Sequence, residues 1–195
     1  MDPETDLRAR LLACALRMVA EEGVASLSLR GIAKRARVSH GAPLRHFPSR
    51  AALLSAVAAE GYRMTAARRE KALAACGPGA AARLHAAARS YVDFAVDHSG
   101  LYELMSRPDL LLPTDPELSR VSRPFYEHGV ELVAARQAEE GWRSGVDTRL
   151  LAAALWAALH GFVQLWLLGA LTRVSRGDSL ADALDVALAA FDLKP

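Results

Sequence analysis

A chain of 195 residues, 52% of them apolar, is long enough for one large or two small domains with real cores. Its formal charge of +2 hides an asymmetry: residues 1–50 carry nine Lys/Arg against five Asp/Glu, whereas residues 51–195 carry fifteen against seventeen. A basic head on a slightly acidic body fits a reader joined to a sensor and argues against a uniformly basic nucleic-acid coat, while Cys14 and Cys76 alone supply neither a disulfide framework nor metal-ligand spacing.

In chain order, the start MDPETDLRAR has acidic residues and no apolar core. It does not read as a secretory signal, and a reducing cytoplasm is the expected compartment. Helical periodicity then dominates, and no alternating strand pattern emerges. A first helix is expected from Thr5 to Glu22, with Leu7, Leu11, Cys14, Met18 and Val19 on one face and Gly23 as its stop. A second begins after the N-cap Ser28 and buries Leu29, Ile32, Ala33 and Ala36. Val38 lies in the following turn, and Ser39 can cap a third, very short helix. Pro43 is tolerated only in that helix's first turn, and Phe47-Pro48 ends it.

Ser49 caps a long helix from Arg50 to about Ala75. Cys76-Gly77-Pro78-Gly79 is the clearest break in the chain. Further helices are expected at about 80–97, 101–106, 115–141, 148–172 and 179–192, the third of these kinked or divided by Pro124. Asp147 or Thr148, and Ser179, are the expected N-caps. Leu150 to Leu171 lacks any Asp, Glu, Lys or Arg and is long enough to cross a bilayer. Its alanines, His160 and Gln164, and the flanking Arg149 and Arg173 fit better with a helix buried between protein neighbours, so no membrane is expected.

The stretch Leu27 to Leu54 carries the chemistry. Between Gly23 and Ala59 there is no Asp or Glu, while Arg30, Lys34, Arg35, Arg37, Arg45 and Arg50 are interleaved with His40 and His46. Charge of one sign on two helices around a tight turn suits the phosphates of duplex DNA. The run from Val38 to Arg50, following Leu29-Arg30-Gly31-Ile32-Ala33, resembles the N-terminal domain of the tetracycline-repressor (TetR) family over roughly residues 8–57. The resemblance implies an all-α fold. A three-helix, helix-turn-helix DNA-binding domain at 1–50 is followed by a helical ligand-binding and dimerisation domain at 51–195.

It also implies residue roles. Gly41 and Ala42 let the recognition backbone approach DNA, while Ser28, Ser39 and the amides at their helix starts donate to phosphates. His40 and Arg45 are the candidates to reach base edges, and Arg30, His46 and Arg50 to clamp phosphates. His46 has an equal alternative as a packing residue at the helix end, and Lys34 and Arg35 as a solvated face. Phe47, Ile32 and Val38 hold the helices together. Two positions depart from the family pattern. Arg37 stands where glycine is common in the turn, and Leu44 where an aromatic, often tyrosine, contacts the DNA backbone.

For the C-terminal half, the resemblance implies a homodimer and a small-molecule pocket. Ser99-Gly100-Leu101-Tyr102-Glu103-Leu104-Met105 and Leu155-Trp156-Ala157-Ala158-Leu159-His160-Gly161-Phe162 resemble the subgroup named for its Trp-His-Gly signature. The 150–171 segment and the last helix are expected to pair with a second copy, with Ala152, Ala153, Ala154, Ala157 and Ala158 allowing close approach. Pocket candidates are Phe94, Tyr102, Met105, Phe125, Tyr126 and Trp156, with His160 and Gln164 as polar groups one turn apart. The other reading makes His160 a satisfied core histidine and the aromatics ordinary core. No metal, cofactor or catalytic motif is apparent. The expected function is therefore non-enzymatic: a repressor binding a palindromic double-stranded operator as a homodimer, released by a small, mostly apolar ligand. The alternative is a dimeric all-α binding protein, or a small enzyme, that uses the apolar pocket without reading DNA sequence.

Overall fold

The computed structural model describes residues 3–139, 141–177 and 179–193. Among them the chain is all helical, without a strand. Nine α-helices follow in order: α1 (Pro3–Glu22), α2 (Leu29–Ala36), α3 (Arg50–Ala75), α4 (Ala80–Asp97), α5 (Ser99–Met105), α6 (Pro116–Ala138), α7 (Thr148–Leu167), α8 (Ala170–Ser175) and α9 (Leu180–Ala189). Short 3-10 turns cover Val24–Ser26, Pro43–Arg45 and Pro108–Leu110. The expected caps form: Ser28, Asp147 and Ser179 accept hydrogen bonds from the amides of Gly31, Leu150 and Asp182.

Three expectations are corrected. The segment after Ser39 is a turn followed by the 3-10 element Pro43–Arg45, not an α-helix. Pro43 has no N–H to give the Ser39 carbonyl, which accepts instead from Ala42, and Ala42 occupies the N-cap position. The helix expected over 148–172 breaks at Leu168-Gly169, where Gly169 takes a left-handed φ of 65° and donates to the Trp166 carbonyl. Of the two outcomes expected at Pro124, a kink or a division, the division does not occur, since α6 stays helical through it.

The chain forms two compact units. The first comprises residues 1–64 and 98–123, so it extends past residue 50 and takes in α5 and the start of α6. It includes the beginning of α3. Every residue from Ala52 to Ala59 is buried, which needs neighbours on all sides. Leu11, Ala15 and Val19 from α1, Ile32 and Ala33 from α2, and Leu101 and Leu104 from α5 supply buried apolar surface, and Cys14 is a core residue as expected. Each fully buried Leu or Val stabilises by roughly 1.5–3 kcal/mol relative to exposure. Ser55, fully buried, satisfies its hydroxyl by accepting from the Leu112 amide at 2.9 Å.

Two further contacts hold this unit. A Cβ built on Gly100 would lie 2.7 Å from the Val19 carbonyl oxygen, so α5 and α1 meet at a distance only glycine permits. Glu117 accepts from Arg8 and Arg63, both at 2.6 Å, and Arg63 also reaches Glu60 at 3.0 Å. Burial alone would raise the Glu117 carboxyl, but the Arg63 hydrogen bond and the Arg8 charge outweigh it and hold the pKa below the ordinary value.

The second unit comprises residues 65–97 and 124–195. Here α7 packs on α4, burying Leu151, Leu155, Leu159 and Val163, one residue per turn on a single stripe. The side chain of Glu139 accepts from the Ala80 amide at 2.8 Å at the start of α4. In α9, Leu184 and Leu188 are buried while Val186 is 73% exposed. The outer side of α7 is open too, with Leu150 69% exposed. By length and composition α7 could cross a membrane, yet its inner stripe is core.

Gly100→Ala should destabilise the protein by about 1–3 kcal/mol, because a methyl would have to displace the α1 backbone. Gly129→Ala, where an added Cβ meets nothing within 4 Å, should stabilise α6 by about 0.5–1 kcal/mol. Denaturant midpoints of the two variants should therefore move in opposite directions. Because folding lowers the Glu117 pKa, its contribution is complete above the ordinary glutamate range and is lost as pH falls through the lower folded value. Glu117→Gln should flatten that part of the acid unfolding profile; an unchanged profile would remove Glu117 from this role.

Candidate nucleic-acid interface and cavity

The first candidate site is built on α2 and the turn after it. Buried Ile32 and Phe47 anchor the segment, and half-buried Val38 donates its amide to the Ala33 carbonyl at 3.0 Å. The Arg8 guanidinium lies over the Phe47 ring, 5.4 Å from its centroid. On this frame Ser28, Arg30, Ser39, His40, Gly41, Leu44, Arg45 and Arg50 are exposed, and Ala42 and His46 are half-buried. Leu44 is an exposed large apolar side chain, at 53%.

Two of the basic residues turn out to be engaged locally. Arg35 pairs with Glu21 and with Glu22, so the acid-free window in the sequence is not free of acids in space. Arg50 donates through Nε to the Leu27 carbonyl at 2.8 Å and through Nη2 to that of Val24 at 3.2 Å. It braces the α1–α2 connection as well as standing at the surface. Arg37 takes the left-handed conformation, φ 57° and ψ 47°, at the C-cap of α2. Its amide closes the helix on the Ala33 and Lys34 carbonyls, which is the job glycine does at lower cost.

The second candidate site is a cavity of about 340 Å³ within the second unit. Thr65 and Arg69 come from α3, Leu84, Ala87, Ala88, Ser90 and Tyr91 from α4. Phe125, Tyr126, Gly129, Val130, Leu132 and Val133 come from α6, and α7 closes it with residues from Arg149 to Leu159. Of the eight residues expected in a pocket, Phe125, Tyr126 and Trp156 line it. Tyr126 packs edge-on against both Phe125 and Trp156, with centroids 5.6 and 6.1 Å apart. The other five do not line this cavity. Phe94 is a buried core residue of the second unit. Tyr102 and Met105 belong to the first unit, where Met105 lies against Gly61. His160 and Gln164 are half-buried farther along α7, the His160 ring 5.7 Å from that of Trp156. Burial pushes the His160 pKa down.

Sequence reasoning missed Arg69. The run Arg68-Arg69-Glu70-Lys71 reads as a solvated face, and Arg68 does pair with Asp97 at 2.7 Å on the surface. Arg69, one residue on, is only 7% exposed. Helical spacing was the signal that could have found it, because Arg69 lies four residues from buried Thr65 and four from buried Leu73 on one face of α3.

Comparison with known proteins agrees with this geometry. The family model for bacterial regulatory proteins of the tetR family matches residues 11–57, and that for a tetracyclin repressor-like C-terminal domain matches residues 84–191. Among solved structures, a protein with unknown function from Rhodococcus sp. RHA1 is similar at 33% identity, with a TM-score of 0.78 over 95% of this chain and 92% of that one. A TetR family transcription regulator from Marinobacter aquaeolei VT8 shares the fold at 17% identity, TM-score 0.65, over 97% and 93% of the two chains. So does the fatty acid degradation regulator FadR from Bacillus halodurans, at 15% identity and TM-score 0.72, over 98% and 95%. A search among curated proteins found no match.

Arg37→Gly should stabilise the protein by about 0.5–1 kcal/mol, since relief of the left-handed backbone exceeds the added freedom of the unfolded chain. The check is the midpoint of thermal unfolding; a lower midpoint would mean that the arginine side chain outweighs its backbone cost.

Proposed function

Because the chain belongs to the tetR family of bacterial regulatory proteins, we propose that this transcriptional regulator is a repressor that binds a palindromic operator as a homodimer and is released by a small molecule. The observation that carries the DNA reading is the exposed set Ser28, Arg30, Ser39, His40, Gly41 and Arg45 on a frame anchored by buried Ile32 and Phe47. Hydroxyls and cations positioned around a near-bare backbone at Gly41 and Ala42 match what phosphate contact and base-edge readout require. In this reading His40 and Arg45 address bases, while Arg30, His46 and Arg50 address phosphates.

Dimerisation is supported by the outer faces of α7 and α9. Leu150 and Val186 are largely exposed, and the exposed Ala153, Ala154 and Ala157 of α7 are small enough for a close helix neighbour. A second copy brings a second recognition segment, which a two-fold operator requires. Ligand control follows if an effector in the cavity binds the non-DNA-binding conformation more tightly than the other. Action on DNA makes the cytoplasm its working compartment.

Selection of bound sequences from a random DNA pool at physiological salt tests this. One palindromic site is the expected recovery; a folded dimer with no preferred sequence would instead favour a binding protein or an enzyme built on the cavity. On the selected site, Arg45→Ala should relax base preference at one position by about 1–3 kcal/mol. Arg50→Ala should weaken binding to operator and random DNA alike, lower the salt dependence, and also lower the unfolding midpoint by removing its bonds to Leu27 and Val24. Equal losses on both DNAs for both variants would overturn that division of roles.

A further inference from the structure

We propose that the cavity of the second unit takes an apolar molecule carrying a carboxylate, and that the guanidinium of Arg69 is the group that receives it. The inference rests on reading this cavity as the effector site and adds the chemical class of the effector.

The cavity walls are almost wholly hydrocarbon and aromatic, and among the described residues no Asp or Glu lines it. Two cations do. Arg149, at the α7 end, is exposed and held by both carboxylate oxygens of Glu127, at 2.7 and 3.1 Å. Arg69 is different. It is more than nine-tenths buried, and its Nη1 donates to the Phe125 carbonyl at 3.0 Å. Its guanidinium lies over the Phe125 ring, 4.5 Å from the centroid. Among the described residues the buried Nε–H has no hydrogen-bond partner and no carboxylate forms an ion pair with Arg69.

An arginine does not lose its proton in a protein, so this is a buried positive charge with one neutral acceptor and one aromatic face. Those two partners leave much of its lost hydration uncompensated, because charge removed from water requires countercharge and full hydrogen bonding. Burial lowers the Arg69 pKa, and the fields of Glu70 and Glu131 only partly oppose it. The Nε–H has essentially no accessible surface, so a carboxylate entering the cavity meets the Nη2 group, which no hydrogen bond occupies among the described residues, and supplies the missing countercharge there. The aromatic walls of Phe125, Tyr126 and Trp156 then hold an apolar body. A neutral ligand of the same shape would gain the walls and leave the charge as it is.

The test uses phenylbutyrate and its neutral isostere phenylbutanamide, titrated calorimetrically into the purified full-length protein and into Arg69→Gln. In the wild type the carboxylate should bind roughly ten- to a hundredfold tighter than the amide. In Arg69→Gln that preference should vanish while amide binding persists, with the melting curve confirming the fold. Should Arg69→Gln not fold, Arg69→Lys decides: a reduced but surviving preference supports the proposal, and an unchanged or lost one overturns it. Equal binding of the two probes to the wild type, no binding of the carboxylate, or a preference that survives Arg69→Gln overturns it as well. None of these readouts involves DNA. A carboxylate that binds at Arg69 yet leaves operator binding intact would count against ligand-released repression; release by neutral compounds alone, with no carboxylate preference, would count against Arg69 and leave repression standing.

Discussion

A helix buried on every side imposes a demand that few others do. From Ala52 to Ala59 α3 has no solvent face, so its small and branched side chains must be met all round by other elements. In the first unit Leu101 and Met105 of α5 lie against α3 at Gly61 and the Leu112 amide meets Ser55, and the close passage of α5 over Val19 requires Gly100. The reader segment inherits its position from the same packing. Phe47 is buried just before α3 begins, and Arg50, the first residue of α3, ties back to the carbonyls of Val24 and Leu27. Residues that face outward for function are thus held by neighbours that face inward for stability.

The reader itself departs from regular geometry in two places, both explained by local chemistry. Pro43 withholds an amide and tightens the segment into a 3-10 turn. Arg37 accepts a left-handed backbone where glycine would be relaxed. Such strain is tolerated because the flanking contacts of Ile32, Ala33 and Phe47 over-determine the path of the chain. Electrostatically, the site is less basic than its sequence. Arg35 is neutralised by Glu21 and Glu22 from the end of α1, which leaves Arg30, Lys34, Arg37, Arg45 and Arg50 as exposed cations without a described ion pair.

The second unit solves a different problem with α7. One stripe of this helix, Leu151, Leu155, Leu159 and Val163, is core, Trp156 sits at the cavity, and Leu150 faces outward. That three-way use explains why the segment has no charged residue for 22 positions and still belongs to a protein core. The cavity left among α3, α4, α6 and α7 is mostly apolar, and of its two guanidinium groups that of Arg149 is paired with Glu127 while the surroundings of Arg69 do not satisfy it. An unsatisfied buried charge is a stability loss in the empty protein and a source of specificity when a matching group enters.

The sequence by itself determined the all-helical class, the caps at Ser28, Asp147 and Ser179, the break at Gly77-Pro78, and the exposed basic reader, because each depends on neighbours within a few residues. Hydrophobic periodicity and capping are local physics and are legible one helix at a time. Only the tertiary structure decided that Tyr102 and Met105 pack in the first unit instead of lining the cavity, that Glu21 and Glu22 reach Arg35, and that Arg69 is buried while Arg68 is not. Those outcomes depend on which helices become neighbours across tens of residues. Helical spacing puts Arg69 on the face of Thr65 and Leu73, but whether another helix covers a charge on that face is settled by tertiary packing.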